Sequence, residues 1–235
     1  MTGDPVVGLD ADDTLWRSED HFRRAEELFL EWVGPFTPDG VDLAAALRSV
    51  ELGNIAVSGY GVKAFGLSMV EAAVTATQGV VPSSVLGDLV DHIHDLLREP
   101  VELLPHVPEV LAELGRSHRL VLITKGDLVH QTRKIRTSGL EHHFDRVGVV
   151  LEKDPETYRR LLADWSIEPA SFVMVGNSVP SDVLPVIELG GRGVHIPYHV
   201  TWEHETVDST GHDFEVLQSI TGLTRALRVC GGAPR

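Results

Sequence analysis

From Arg119 onward, short apolar strands alternate with helices. The strands read at Arg119–Ile123, Arg146–Val150, Ser171–Val175 and Gly193–Ile196, with helices closing near Ser138, over Pro155–Trp165 and up to Leu189. Strands that alternate with helices join by crossover connections, so the sheet they build is parallel and covered on both faces. Right-handed crossovers then place ligands beyond the C-terminal strand edges. One further strand, Pro5–Leu9, stands far upstream, with a long helical stretch in between. The expected architecture is α/β: a Rossmann-like three-layer parallel-sheet core, residues 1–16 and 99–235, with an inserted helical cap domain, residues 17–98.

The insertion shows helical periodicity and no strand. Phe22, Ala25, Leu28, Phe29, Trp32 and Val33 recur at helical spacing. Gly34-Pro35 and Thr37-Pro38-Asp39-Gly40 break that helix. Asp42 is the expected N-cap of a second helix running to Leu52. Ser68-Met69-Val70-Glu71 fits a capping box opening a third, and Pro82 falls in the first turn of a fourth. An insertion that leaves the ligand-binding edge of a sheet is placed to cover the site as a lid.

Composition narrows the function classes. A net charge of −15 over 235 residues argues against general binding to nucleic acid or anionic membrane. A single cysteine, Cys230, excludes an intrachain disulfide. No basic-then-apolar leader and no membrane-length apolar run is present, so a cytoplasmic protein is expected. The polar tail after Thr201 turns weakly helical from Phe214 to Leu227, and Gly231-Gly232-Ala233 is expected to fray.

Four polar clusters fall at or just after strand ends: Asp10/Asp12/Thr14, Thr124/Lys125, Lys153, and Asn177/Ser178 with Asp182. A parallel sheet brings those ends together. Asp10 and Asp12 alternate along a strand direction and face one site. Their mutual repulsion makes sense if a hard cation such as Mg²⁺ shares it. One carboxylate can attack phosphorus, the other can protonate a leaving oxygen and then activate water, and a cation and a lysine can neutralise the equatorial oxygens.

These residues resemble the haloacid dehalogenase-like hydrolases, in particular the phosphatase branch with a helical cap. The resemblance spans roughly residues 5–16 and 100–200, and in the cap it rests on position and helicity only. Asp10-Ala-Asp12-Asp13-Thr14 is similar to the family's Asp-x-Asp-x-Thr motif. By that resemblance Asp10 is nucleophile and metal ligand, and Asp12 is general acid/base with its backbone carbonyl on the metal. Thr124 matches the phosphate-holding Thr or Ser, and Lys153 the lysine that steadies Asp10 and phosphate. Gly176-Asn177-Ser178-Val179-Pro180-Ser181-Asp182 matches Gly-Asp-x-x-x-x-Asp, with Asn177 where the family often has an acid. That departure puts Asp182 ahead of Asn177 as the direct ligand.

The resemblance implies a magnesium-dependent phosphatase acting on a small phosphomonoester, as a monomer or homodimer. Phosphomutase, phosphonate hydrolase, haloacid dehalogenase and, further off, a non-catalytic binding protein are the alternatives. Halide displacement needs no second acid, so Asp12 counts against it, while Asn177 counts for it. Phosphonate hydrolysis needs a cap lysine, and Lys63, flanked by Gly59, Gly61 and Gly66 in an expected loop, is the only candidate. Lys125 either touches phosphate or is a surface charge. Trp16 and Arg17 either line the pocket or pack in the core or hinge. Lys134, the rival to Lys153, is expected on a solvated helix face. His92/His94, His142/His143 and His195/His199/His204 lack zinc spacing.

Overall fold

A computed structural model describes residues 5–199 and 213–229. The polar stretch after Thr201, with His204, and the terminal Cys230 to Ala233 lie outside the described residues. Two compact units emerge: one from the described parts of 1–19, 101–125 and 131–235, the other from 20–100 and 126–130.

The first unit is a six-stranded, wholly parallel sheet. Its strands are β1 (Val6–Leu9), β2 (Leu120–Lys125), β3 (Arg146–Val150), β4 (Phe172–Gly176), β5 (Arg192–His195) and β6 (Glu215–Val216), in the spatial order β3-β2-β1-β4-β5-β6. The central strand, β1, pairs Val7 with Leu120 on one side and Val173 on the other. Strand alternation divides the core in two. Val7, Leu9, Leu120, Leu122, Val173, Val175 and Val194 pack on one face with Val107, Leu111 and Leu114 of α5 (Val107–Leu114) and Leu223 of α9 (Leu223–Val229). Val121, Ile123, Phe172 and Met174 pack on the other with Tyr158 and Leu162 of α7 (Pro155–Asp164) and Val186 of α8 (Leu184–Glu188). Burial on both faces is why these strands read as continuous apolar runs. Gly8 lies in β1 where a Cβ would come within 2.4 Å of the Phe172 ring, so any larger residue would force that ring to shift. The α/β, Rossmann-like, three-layer expectation is therefore met.

Details depart from expectation. The tail carries a strand, β6, held to β5 by Val194–Glu215 and His195–Val216 pairing, before its helix begins at Leu223. The segment after β4 is a π turn, Val179–Val183, that runs into α8. None of the described helices is long and apolar enough to cross a membrane.

The second unit is built on α1 (Glu19–Val33), α2 (Leu43–Ser58), α3 (Val62–Ala76) and α4 (Ser83–Arg98). Phe29, Leu47, Phe65, Met69 and Leu89 form its own apolar core. Asp42 caps α2 by accepting from Ala45 N at 2.9 Å. The Ser68–Glu71 capping box is not formed. Ser68 sits inside α3, buried, and donates to Ala64 O at 3.0 Å, while Glu71 accepts from Asn54 of α2 at 2.8 Å. A hydroxyl inside a helix turns to the carbonyl four residues back, so the same letters serve a different bond. Lys63 and Gly66 also lie in α3 rather than in a loop. Lys63 Nζ pairs with Asp127 at 2.9 Å.

Glu51 of α2 gives this unit a pH dependence. Burial, and then the nearby Glu26, push its carboxyl up to about 7 from 4.5. The folded state therefore holds this proton more tightly than the unfolded chain does. The associated stability is complete below about pH 4.5 and is lost as the pH rises through about 7. Glu51→Gln is expected to gain about 2 kcal/mol relative to wild type between pH 5 and pH 8. Urea denaturation at both values checks this, and an unchanged difference counts against it.

Candidate active site

The chain leaves β1 into a turn closed by Leu15 N on Ala11 O at 2.8 Å and Asp13 N on Trp16 O at 2.7 Å. Asp13 takes φ 60°, a conformation that Asp tolerates better than most residues. Its carboxylate accepts from Ser18 N at 2.9 Å and Glu19 N at 3.1 Å, capping the start of α1. Burial, and then the charge of Asp12, push the Asp13 carboxyl up to about 7. The turn fixes where Asp10 and Asp12 point.

Asp10, Thr124, Lys153 and Asp182 are all buried, and they come from the C-terminal ends of β1 and β2, the β3–α7 loop and the π turn after β4. Lys153 Nζ bridges Asp10 Oδ1 and Asp182 Oδ1, the latter at 2.6 Å. Burial acts to lower the Lys153 pKa, but the two carboxylates outweigh it and hold the ammonium well above its ordinary value. Asp10 is pushed up to about 6: burial raises it most, Lys153 pulls it down, and Asp182 raises it again. Asp182 Oδ2 also accepts from Ser178 N at 3.1 Å. Gly176 makes room for this carboxylate, since a Cβ there would lie 2.1 Å from Asp182 Oδ2. Tyr158 OH donates to Ser181 O at 3.0 Å and steadies the π turn.

Thr14 Oγ1 donates to Asp10 Oδ2 at 3.1 Å and accepts from Asn177 N at 3.1 Å. The Asn177 side-chain nitrogen faces Asp12 O at 3.1 Å and Asp10 Oδ2 at 3.2 Å. Turned end for end, that amide would set its oxygen beside a carboxylate and a peptide carbonyl. An all-oxygen set of this kind suits a hard divalent cation such as Mg²⁺. Both oxygens of Asp182 meanwhile face protein donors. His195 Nε2 lies 2.9 Å from Asn177 O, and burial lowers its pKa, so a neutral imidazole donates there and holds the loop.

Asp12 stands apart from the Lys153 bridge. Its Oδ1 accepts from Trp16 Nε1 and from Lys134 Nζ, each at 2.5 Å, and its Oδ2 from Gln131 Nε2 at 2.9 Å. Burial acts to raise its pKa, but Lys134 first, then Gln131 and Trp16, hold it below the ordinary carboxylate value. Lys134 is therefore not on a solvated face: its side chain is 13% exposed and sits against Asp12. Gln131, which the sequence reading passed over, also donates to Thr124 Oγ1 at 2.7 Å. Gln131 and Lys134 lie three residues apart on α6 (Leu128–Thr137) and so share a face. That spacing, directly after a strand end, was the available signal. Trp16 is fully buried in the core, and Arg17 pairs with Glu102 at 3.5 Å. Lys125 lies 3.7 Å from Glu152 Oε1, with its side chain 15% exposed.

A family model of haloacid dehalogenase-like hydrolases matches residues 5–190. The chain belongs to the haloacid dehalogenase-like hydrolases. A solved haloacid dehalogenase-like family hydrolase from Xanthomonas campestris is 37% identical, with 98% of this chain and 94% of that one covered and a TM-score of 0.86. A 2-haloacid dehalogenase from Pseudomonas syringae pv. Tomato DC3000 is 19% identical over 97% of this chain and 99% of that one, with a TM-score of 0.66. A predicted phosphoglycolate phosphatase from Haemophilus somnus 129pt is 16% identical over 96% and 99%, with a TM-score of 0.63. The last two share the fold. Among curated proteins none matches.

Proposed function

We propose that this hydrolase is a magnesium-dependent phosphatase of small phosphomonoesters, working through an aspartyl-phosphate on Asp10. The observation that carries the reading is Asp12, a second carboxyl group distinct from the Lys153-bound Asp10 and held by its own donors. An alkoxide leaving group needs a proton and a halide does not.

Asp10, the Asp12 carbonyl and Asn177 would hold the cation, with Asp182 anchoring Lys153. Bound Mg²⁺ would neutralise charge on the phosphoryl oxygens. Asp12, ionised at rest against Lys134, takes up a proton as the anionic phosphoryl group enters the site; an Asp10 oxygen then attacks phosphorus, and the bond from phosphorus to the ester oxygen breaks as Asp12 gives that oxygen its proton. Asp12, now ionised, takes a proton from water as the water oxygen attacks phosphorus. The phosphorus–Asp10 bond then breaks, releasing inorganic phosphate and restoring both carboxyl groups. Thr124 Oγ1 accepts from Gln131, which leaves its own proton to donate to a phosphoryl oxygen.

The test is phosphate release from phosphoglycolate, glycerol 3-phosphate, glucose 6-phosphate and AMP, with Mg²⁺ and with chelator. Magnesium-dependent release from at least one is expected. Halide displacement is the second reading, favoured by the uncharged Asn177. Chloride release from 2-chloropropionate, with no phosphate release from any ester, would establish it in place of the first.

A further inference from the structure

We infer that Lys134 is a positioning residue for proton transfer: with Gln131 and Trp16 it holds the Asp12 carboxyl where the leaving oxygen of the ester must be met. The inference rests on the phosphatase reading and extends it to a residue outside the motif set.

The geometry is that of a clamp. Trp16 Nε1 reaches Asp12 Oδ1 at 2.5 Å from an indole that is fully buried in the sheet core. Lys134 Nζ reaches the same oxygen at 2.5 Å and lies 5.9 Å from the centre of the Trp16 ring. Gln131, itself 2% exposed, takes the other oxygen at 2.9 Å and ties it to Thr124 Oγ1. A carboxyl gripped at both oxygens has lost its side-chain rotation, and proton transfer depends on that angle. Lys134 does none of the work of Lys153, which is buried between Asp10 and Asp182. Nor is it a general solvating charge, because its ammonium is directed at a single carboxylate.

A residue that acts only through Asp12 affects only steps in which Asp12 moves a proton. The kcat/KM ratio reports the first chemical step, in which the ester oxygen leaves. That oxygen needs a proton in an alkyl phosphate and needs almost none in 2,4-dinitrophenyl phosphate. Lys134→Met is expected to lower kcat/KM by about 10–100-fold on whichever of phosphoglycolate, glycerol 3-phosphate, glucose 6-phosphate and AMP the wild type hydrolyses fastest. That is part of the ~10²–10⁴-fold that acid–base catalysis supplies. On 2,4-dinitrophenyl phosphate the loss should be less than about threefold.

In an Asp12→Asn background, Lys134→Met should add nothing further, since its object is gone. Lys134→Gln, which keeps a donor, should recover part of the loss and provides a folded alternative if the Met variant melts early. Equal losses on both ester types, or losses that add to those of Asp12→Asn, would overturn the assignment and leave the phosphatase reading standing. A wild type that hydrolyses none of the esters overturns both.

Discussion

Asp10→Asn is expected to reduce phosphate release to the level of the buffer blank while the protein stays folded. An amide oxygen does not attack phosphorus, so the covalent route closes entirely. The fold survives because the exchange is nearly isosteric and the neighbours adapt. An Asn oxygen can keep the Lys153 contact, and Lys153 retains Asp182 as its charged partner. On the other side Thr14 Oγ1 can turn from donating to accepting. The expected stability change is under about 1 kcal/mol, the scale of one exchanged hydrogen bond. Phosphate assay and urea denaturation on the same preparation check both halves, and turnover surviving at even one part in a hundred would sink the nucleophile assignment.

The second large effect is on stability. Lys153→Met removes the ammonium that bridges Asp10 and Asp182, which are 6% and 0% exposed. Stripping one partner from a buried ionic group is worth about 3–5 kcal/mol, because the remaining charge stays shut off from water and has lost a close counterion. Here two carboxylates are left facing each other. The loss should be largest at pH 8 and shrink toward pH 5, where one of them takes up a proton. Denaturation midpoints at the two values measure it, and a variant within about 1 kcal/mol of wild type at pH 8 would mean that the bridge contributes little. Turnover should vanish in either case, so the stability reading is the informative one.

Much of the sheet was legible in the amino-acid order for a physical reason. β1, β2 and β4 are covered on both faces and so appear as apolar runs; β2 ends in Thr124-Lys125, and β1 and β4 are followed by Asp10 and by Asn177 at the ligand edge. β6 was not legible. With two residues, Glu215 and Val216, it has no period to read, and it exists because β5 offers it an edge. Within the site, Asp10, Asp12 and Lys153 could be named because they sit at strand ends or just beyond them. For Gln131 and Lys134 only the three-residue spacing after a strand end is legible; their role depends on which face of α6 turns toward Asp12, and a strand-by-strand reading assigns no face to that helix. Asn177 and Asp182 illustrate the same limit. Their types were noted, but that one carboxylate is taken up by Lys153 and Ser178 follows only from three-dimensional placement.

The central position of β1 bears on how the chain is made. Residue 7 leaves the ribosome long before its neighbours in the sheet, residues 120 and 173. The apolar core of the helices numbered α1 to α4 is drawn from residues 22–97, so they can condense while synthesis continues. The strand that leads into Asp10 and Asp12 must wait, apolar and unpaired, until two distant segments arrive. Pairings between such distant segments form slowly, and exposed strands invite aggregation in the meantime. Nascent chains halted before residue 120 should therefore be the stage at which chaperone dependence is greatest.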